Sequence, residues 1–252
     1  RGARAARLTR FGEDFARRAR DILVAVDELD AYARAARDGR VATLRLGIIP
    51  TIAPYLLPGL IGRLALEQPA LDIHVRETLT ERLLAELHEG RIDTAVVALP
   101  VSEPHLHEEP LMAEDFVLVR PESDAGKPVP DAQALQAMRL LLLEEGHCFR
   151  DQALSFCRQR PGLSRDGLDG FSLATLVQMV GAGLGVTLIP DMAVPVETRS
   201  APVTVSRFPP PAPARRIGMV WRHGSPLEPQ LRDVANAVRA AAAALGLCPG
   251  PA

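Results

Sequence analysis

The chain has 252 residues, is 47% hydrophobic and 4% aromatic, and carries a formal net charge of -2. That is ample for a core in one or two domains, and it gives no global electrostatic pull toward nucleic acid or membrane. No run of about 18 apolar residues exists and the arginine-rich start lacks an apolar signal core, so neither a membrane span nor export is expected, and the cytoplasm is the expected compartment.

In chain order, Arg1, Arg4 and Arg7 precede Thr9, which is placed to cap a helix. Phe15, Ala19, Ile22, Val26, Leu29, Ala33 and Ala36 then recur at alternating steps of four and three. This is a heptad seam of the kind that pairs helices, ended by Gly39. An ordinary amphipathic helix packed on its own domain is the alternative. Residues 41–49 read as a strand ending at Pro50-Thr51, 52–66 as a helix confined by Pro54 and Pro58, 71–77 as a strand, 80–88 as a helix and 93–99 as an apolar strand. Short strands follow at 105–110 and 115–120, then a polar turn region at 121–130. The alternation resumes with a strand at 139–145, helices at 147–160 and 172–182, and strands at 185–190 and 203–208. A proline break at 209–213 precedes a strand at 216–222 and an alanine-rich helix at 227–245, and the tail 248–252 reads as disordered. Such alternation predicts parallel α/β structure in two units behind a helical leader.

The chemistry concentrates in Gly146-His147-Cys148-Phe149-Arg150-Asp151-Gln152-Ala153-Leu154-Ser155-Phe156-Cys157, which holds two of the three cysteines. Nine residues on one helix give a rise of about 13.5 Å and a rotation of about 180°. Cysteines whose Cα atoms lie more than about 7 Å apart cannot form a disulfide. Either these thiols ignore each other, or the helix comes apart to let them meet, which would make a redox switch. Cys148 falls in the first helical turn, where the partial positive charge favours thiolate, and His147 and Arg150 are expected to add positive charge. An inert buried cysteine is the alternative. Cys157 sits among Phe149, Leu154 and Phe156 and is expected to be buried. Peroxide would oxidise a Cys148 thiolate to sulfenic acid, which condenses with a second thiol. Cys248 reads as incidental.

Thr51 and Thr80 each sit where a strand gives way to a helix, the place where open α/β sheets bind ligands. Either would be a plain N-cap in the alternative reading. His105 and His107 lie among Glu103, Glu108 and Glu109, but CxxC and HExxH are absent, so no metal site is expected. No phosphate-binding glycine loop is present and no cofactor is expected. Gly181-Ala182-Gly183-Leu184-Gly185 reads as a helix C-cap and turn.

The Gly146–Cys157 segment, together with Leu46-Gly-Ile-Ile-Pro-Thr-Ile-Ala-Pro-Tyr-Leu-Leu-Pro58, resembles the peroxide-sensing OxyR family of LysR-type transcription regulators. Ser172-Leu-x-Thr-Leu, Gly183-x-Gly-Val-Thr-Leu-Ile-Pro190 and Ile217-Gly-Met-Val-Trp-Arg-His-Gly-Ser-Pro-Leu227 extend the resemblance over residues 5 to 245. It implies that Cys148 is the peroxidatic cysteine and Cys157 its resolving partner, with Thr51, Thr80, His147, Arg150 and Arg215 lining a peroxide pocket. It implies two Rossmann-like subdomains of the periplasmic-binding-protein-like kind, placed at 42–112 with 217–247 and at 113–216. Residues 1–12 would be the end of a winged helix-turn-helix, 13–40 a dimerising linker helix and 248–252 a disordered tail. With the recognition helix missing, this chain is expected to sense peroxide without reading DNA. Its partners would be hydrogen peroxide, promoter DNA through the missing N-terminal domain, other copies of itself as dimer or tetramer, a thiol reductant such as glutaredoxin, and RNA polymerase. The rival readings are a metabolite-responsive LysR-type regulator, a thiol peroxidase enzyme and a solute-binding protein of similar fold.

Overall fold

The computed structural model describes residues 8–12, 14–16, 18, 19, 22, 23, 26, 29, 43–156, 169, 170 and 172–249. The described residues from 10 to 29 are helical, and Cys157 lies outside the described residues. The first unit runs β1 (Thr43–Ile48), α1 (Ala53–Glu67), β2 (Asp72–Glu77), α2 (Thr80–His88) and β3 (Thr94–Leu99). A long strand β4 (Leu106–Pro121) leads into α3 (Ala132–Ala137), β5 (Leu142–Leu143), α4 (Cys148–Phe156), β6 (Asp169–Gly170), α5 (Leu173–Gly181) and β7 (Thr187–Pro190). The chain continues through α6 (Val194–Glu197), β8 (Val203–Arg207), β9 (Ala214–Arg222), α7 (Glu228–Ala244) and β10 (Cys248–Pro249).

The sheet order is β10-β4-β9-β3-β1-β2, with β7 and β8 also pairing with β4. Among the described strands, only β1 with β2 and β3, and the small β5–β6 pair, run parallel; β9 runs antiparallel to β3 and β4, and β7 and β8 antiparallel to β4. The fold is therefore mixed α/β, not the parallel arrangement the alternation implied. The reason lies in β4. The sequence suggested two short strands, but they are one strand of 16 residues with a register shift between Pro110 and Met112. Proline has no N–H to give the ladder, so pairing breaks there and the strand bends without ending. Its first part pairs with β9 and its second part with β7 and β8, so β4 carries the sheet from one half of the molecule to the other.

Packing follows the apolar pattern. Leu44, Leu46 and Ile48 of β1 are buried, all six residues of β3 are buried, and Trp221 is fully enclosed. In α1, Pro54 falls in the first turn, where no helical N–H is required, and Pro58 leaves the Pro54 carbonyl without its helical partner. The strand expected over 139–145 is reduced to Leu142–Leu143, with Leu140 making a single bridge to Val186. The tail also departs from expectation, because Cys248 and Pro249 pair with Ala113 and Met112 as a short antiparallel strand. Gly183 has a φ of 78° and ends α5, as the glycine cluster implied.

Candidate redox site

Three elements converge on Cys148. The turn after β1 brings Thr51, the start of α2 brings Thr80, and the start of α4 brings Cys148 itself. Gly146 turns the chain into α4 at a φ of 93°, and a Cβ there would meet Leu79 Cδ1 at 3.0 Å. A side chain at that position would be strained by the backbone conformation and would crowd the Leu79 side chain. Cys148 is a free, partly buried thiol at the first position of α4.

Neither threonine caps its helix. The N-caps of α1 and α2 are Ile52 and Leu79, and neither makes a side-chain capping bond. Instead, the Thr80 hydroxyl donates to Cys148 Sγ at 3.8 Å. The Thr51 hydroxyl accepts from Arg215 Nη1 at 2.8 Å, and Arg215 Nη2 donates to the Thr51 carbonyl at 3.0 Å. Strand alternation settles which of two adjacent arginines reaches the site: Arg215 is buried and Arg216 exposed.

Thr51, Thr80, Gly146, His147, Cys148 and Phe149 line one small cavity of about 10 Å³ together with Ile49, Pro50 and Leu79. That volume suits a single water-sized molecule. A larger cavity of about 440 Å³ shares Pro50, Thr51, Leu79 and His147 with it and extends to Tyr55, Ser172 and Glu197. Across that space the Tyr55 hydroxyl donates to Glu197 Oε1 at 2.7 Å, and burial together with this bond pushes the phenol up.

The charge pattern differs from expectation. Burial pulls the His147 imidazole below its ordinary value, against a smaller opposing influence from Glu144, so at neutral pH the ring adjoins the thiol uncharged. Arg150 does not line the small cavity; it is buried, and its Nη1 donates to the Leu143 carbonyl at 2.5 Å. It ties α4 to β5. Arg215 also lines neither cavity and reaches the site through Thr51.

Glu114 went unrecognised in the sequence. It receives Arg215 Nε at 2.9 Å and the Met192 N–H at 2.8 Å. Burial pushes its carboxyl up, while the Arg215 guanidinium and the Met192 N–H pull the other way. The signal for it was strand parity: Met112, Glu114 and Phe116 all face inward, a charged group at a core position. Dividing β4 into two short strands hid that parity.

A LysR substrate-binding domain model matches residues 37–243. "Probable hydrogen peroxide-inducible genes activator" of Mycobacterium avium is 42% identical over 94% of this chain and 78% of its own length. "DNA-binding transcriptional dual regulator OxyR" of Escherichia coli K12 is 36% identical over 95% of this chain and 79% of its own. Among solved structures, a cysteine-to-serine variant of Corynebacterium glutamicum OxyR in its H2O2-bound form is similar with a TM-score of 0.79 and 34% identity, covering 97% of this chain and 78% of that one.

The chain belongs to the LysR family of transcription regulators, in its OxyR branch.

A reduced OxyR structure is similar at a TM-score of 0.71 and 38% identity, over 79% of this chain and 95% of that one. The LysR-type family is one of regulators and not a class of enzyme. In this OxyR-branch chain no helix among the described residues is long and apolar enough to cross a membrane.

Proposed function

We propose that this chain is the linker and regulatory part of a peroxide-sensing transcriptional activator, with Cys148 as the sensing thiol and Cys157 as its resolving partner. The observation that carries this reading is the contact between the Thr80 hydroxyl and Cys148 Sγ at the N-terminus of α4, beside a cavity of single-molecule size. The hydroxyl donor holds the sulfur in place beside that cavity.

The Cys148 thiolate attacks one oxygen of hydrogen peroxide. The S–O bond forms, the O–O bond breaks, and the second oxygen leaves as hydroxide, which takes a proton to become water. The Thr51 hydroxyl lines this space and stabilises the leaving oxygen. Cys157 then attacks the sulfenic acid sulfur, forming the disulfide and releasing a second water. A thiol reductant such as glutaredoxin would restore the thiols. The parent regulator would bind promoter DNA through a winged helix-turn-helix, engage RNA polymerase, self-associate and work in the cytoplasm. Residues 42–112 with 217–247, and 113–216, would be its two regulatory subdomains.

Mass mapping of thiols after a stoichiometric peroxide pulse tests the reading. The expected product joins Cys148 to Cys157 and leaves Cys248 free; a dominant disulfide through Cys248 overturns it. The cavity of about 440 Å³ favours one alternative, a regulator answering a small organic effector. That alternative requires an unoxidised conformational change on adding a metabolite, with no thiol chemistry.

A further inference from the structure

Glu114 and Arg215 face each other across the β4–β9 ladder, and both side chains are wholly buried. Arg215 Nε lies 2.9 Å and Nη2 2.8 Å from Glu114 Oε2, and the Met192 N–H occupies Oε1 at 2.8 Å. Every partner of the carboxyl is a donor, which suits the ionised form. A buried ion pair is no more stabilising than apolar residues of similar volume, so stability alone does not account for this one.

The guanidinium is a rigid planar fork. Clamping one edge on Glu114 directs Nη1 at Thr51 Oγ1 and the remaining Nη2 hydrogen at the Thr51 carbonyl. The Thr51 hydroxyl is thereby committed as an acceptor from a cation. Its own proton has no acceptor among the described residues, and Thr51 lines the cavity that holds Cys148. We infer that Glu114 is a positioning residue for peroxide reduction: acting through Arg215, it turns the Thr51 hydroxyl into a hydrogen-bond donor for the departing peroxide oxygen. This rests on the proposed peroxide reaction. In that step sulfur gives an electron pair to one peroxide oxygen, the O–O pair leaves on the other, and Thr51 hydrogen-bonds to that second oxygen without itself being consumed.

The test compares the wild-type chain with Glu114→Gln, Thr51→Val and the double variant. The rate of Cys148 oxidation by hydrogen peroxide is measured beside its alkylation by iodoacetamide, whose iodide leaving group needs no proton donor. Glu114→Gln should slow oxidation about 10- to 100-fold, the value of a charge-assisted hydrogen bond, and leave alkylation unchanged. In the Thr51→Val background the same change should have little further effect, because the path to the peroxide is already cut. Equal oxidation rates in wild type and Glu114→Gln overturn the inference while the sensing reading stands. So does additivity in the double variant, or a parallel change in both rates, which would mark a purely structural role. A Glu114→Gln chain that does not fold is replaced by Glu114→Asp, which should recover a larger share of the oxidation rate than of the lost thermal stability; recovery of both in proportion overturns the inference. A wild-type Cys148 inert to peroxide removes the sensing reading itself.

Discussion

Cys148 meets its environment through one threonine hydroxyl, one neutral imidazole and the first turn of its own helix, and each makes a separable contribution. The Thr80 donor sits on the sulfur. Thr80→Val keeps the shape and removes the donor, so oxidation by peroxide should slow by about tenfold or more, and Thr80→Ser should stay near wild type. Stopped-flow rates at fixed pH decide this, and an unchanged Thr80→Val rate would show that the contact is incidental. His147 adds a pH dependence. Its folded-state value lies below the ordinary 6.5. As pH falls through that ordinary value the unfolded chain takes up the proton first, so stability contributed by the neutral ring is present above about 6.5 and is lost as pH drops through the lower folded value. Thermal melts of the wild type should therefore fall more steeply between neutral and mildly acidic pH than those of His147→Asn. Parallel curves would mean that the ring is not buried against its surroundings as described.

At the scale of the element, α4 is the part on which the proposed disulfide would act. Phe149 packs edge-on against Phe116 with ring centroids 4.8 Å apart, and the Arg215 guanidinium lies 5.5 Å from the same ring. Phe156 makes a similar contact with Phe208 at 5.1 Å. A disulfide to a partner nine residues on cannot form on an intact helix, because the rise of about 13.5 Å exceeds the reach of the bond. In the proposed switch, refolding would release these rings, each worth roughly 1.5–3 kcal/mol of burial, against about 2–4 kcal/mol from the disulfide. Terms this close suit a reversible switch. Phe149→Ala should remove about 3–5 kcal/mol from the reduced packing. The reduced variant should then exchange amide hydrogens quickly over 147–156 and close its disulfide faster than the wild type. Slow exchange there, with unaltered disulfide formation, would detach the switch from α4.

The whole molecule carries an apolar face that it does not itself cover. Phe11, Phe15, Ile22, Leu23, Val26 and Leu29 on the leader helix are 53% to 77% exposed in the single chain. Scattered apolar residues on a surface are ordinary, but a continuous seam at heptad spacing points to a second helix. Replacing Ile22 and Leu29 together by Asp should lower the sedimentation mass without lowering the melting temperature of the α/β part. A mass that does not move would assign self-association to another face. The first twenty residues also carry seven arginines against two acids. Contacts of these arginines with DNA phosphates should therefore be salt-sensitive and indifferent to sequence, and DNA binding whose salt dependence stays the same when they are replaced by glutamine would contradict that.

Local pattern settled most of the elements and singled out Cys148 as the candidate thiol. Hydrophobic periodicity located β1, β2, β3, α1, α2, α5 and α7 to within a residue or two, and the Gly-His-Cys turn into a helix was legible because turn chemistry and helix ends are local properties. Thr51 and Thr80 were legible as site candidates from their places at strand ends, but nothing in their neighbourhood distinguished a cap from a ligand-facing hydroxyl. That difference came from Arg215 and Cys148, which lie 164 and 68 positions away. Glu114 and Arg215 meet only because β4 and β9 pair across the sheet, and the Tyr55–Glu197 bond closes only because α1 and α6 face each other across a cavity. The uncharged His147 is likewise a product of burial, and burial depends on what the rest of the chain packs around the ring. Contacts within about four residues follow from the chain's own stereochemistry; contacts between distant strands follow from which pairing buries the most apolar surface, and that is decided only when the molecule has folded.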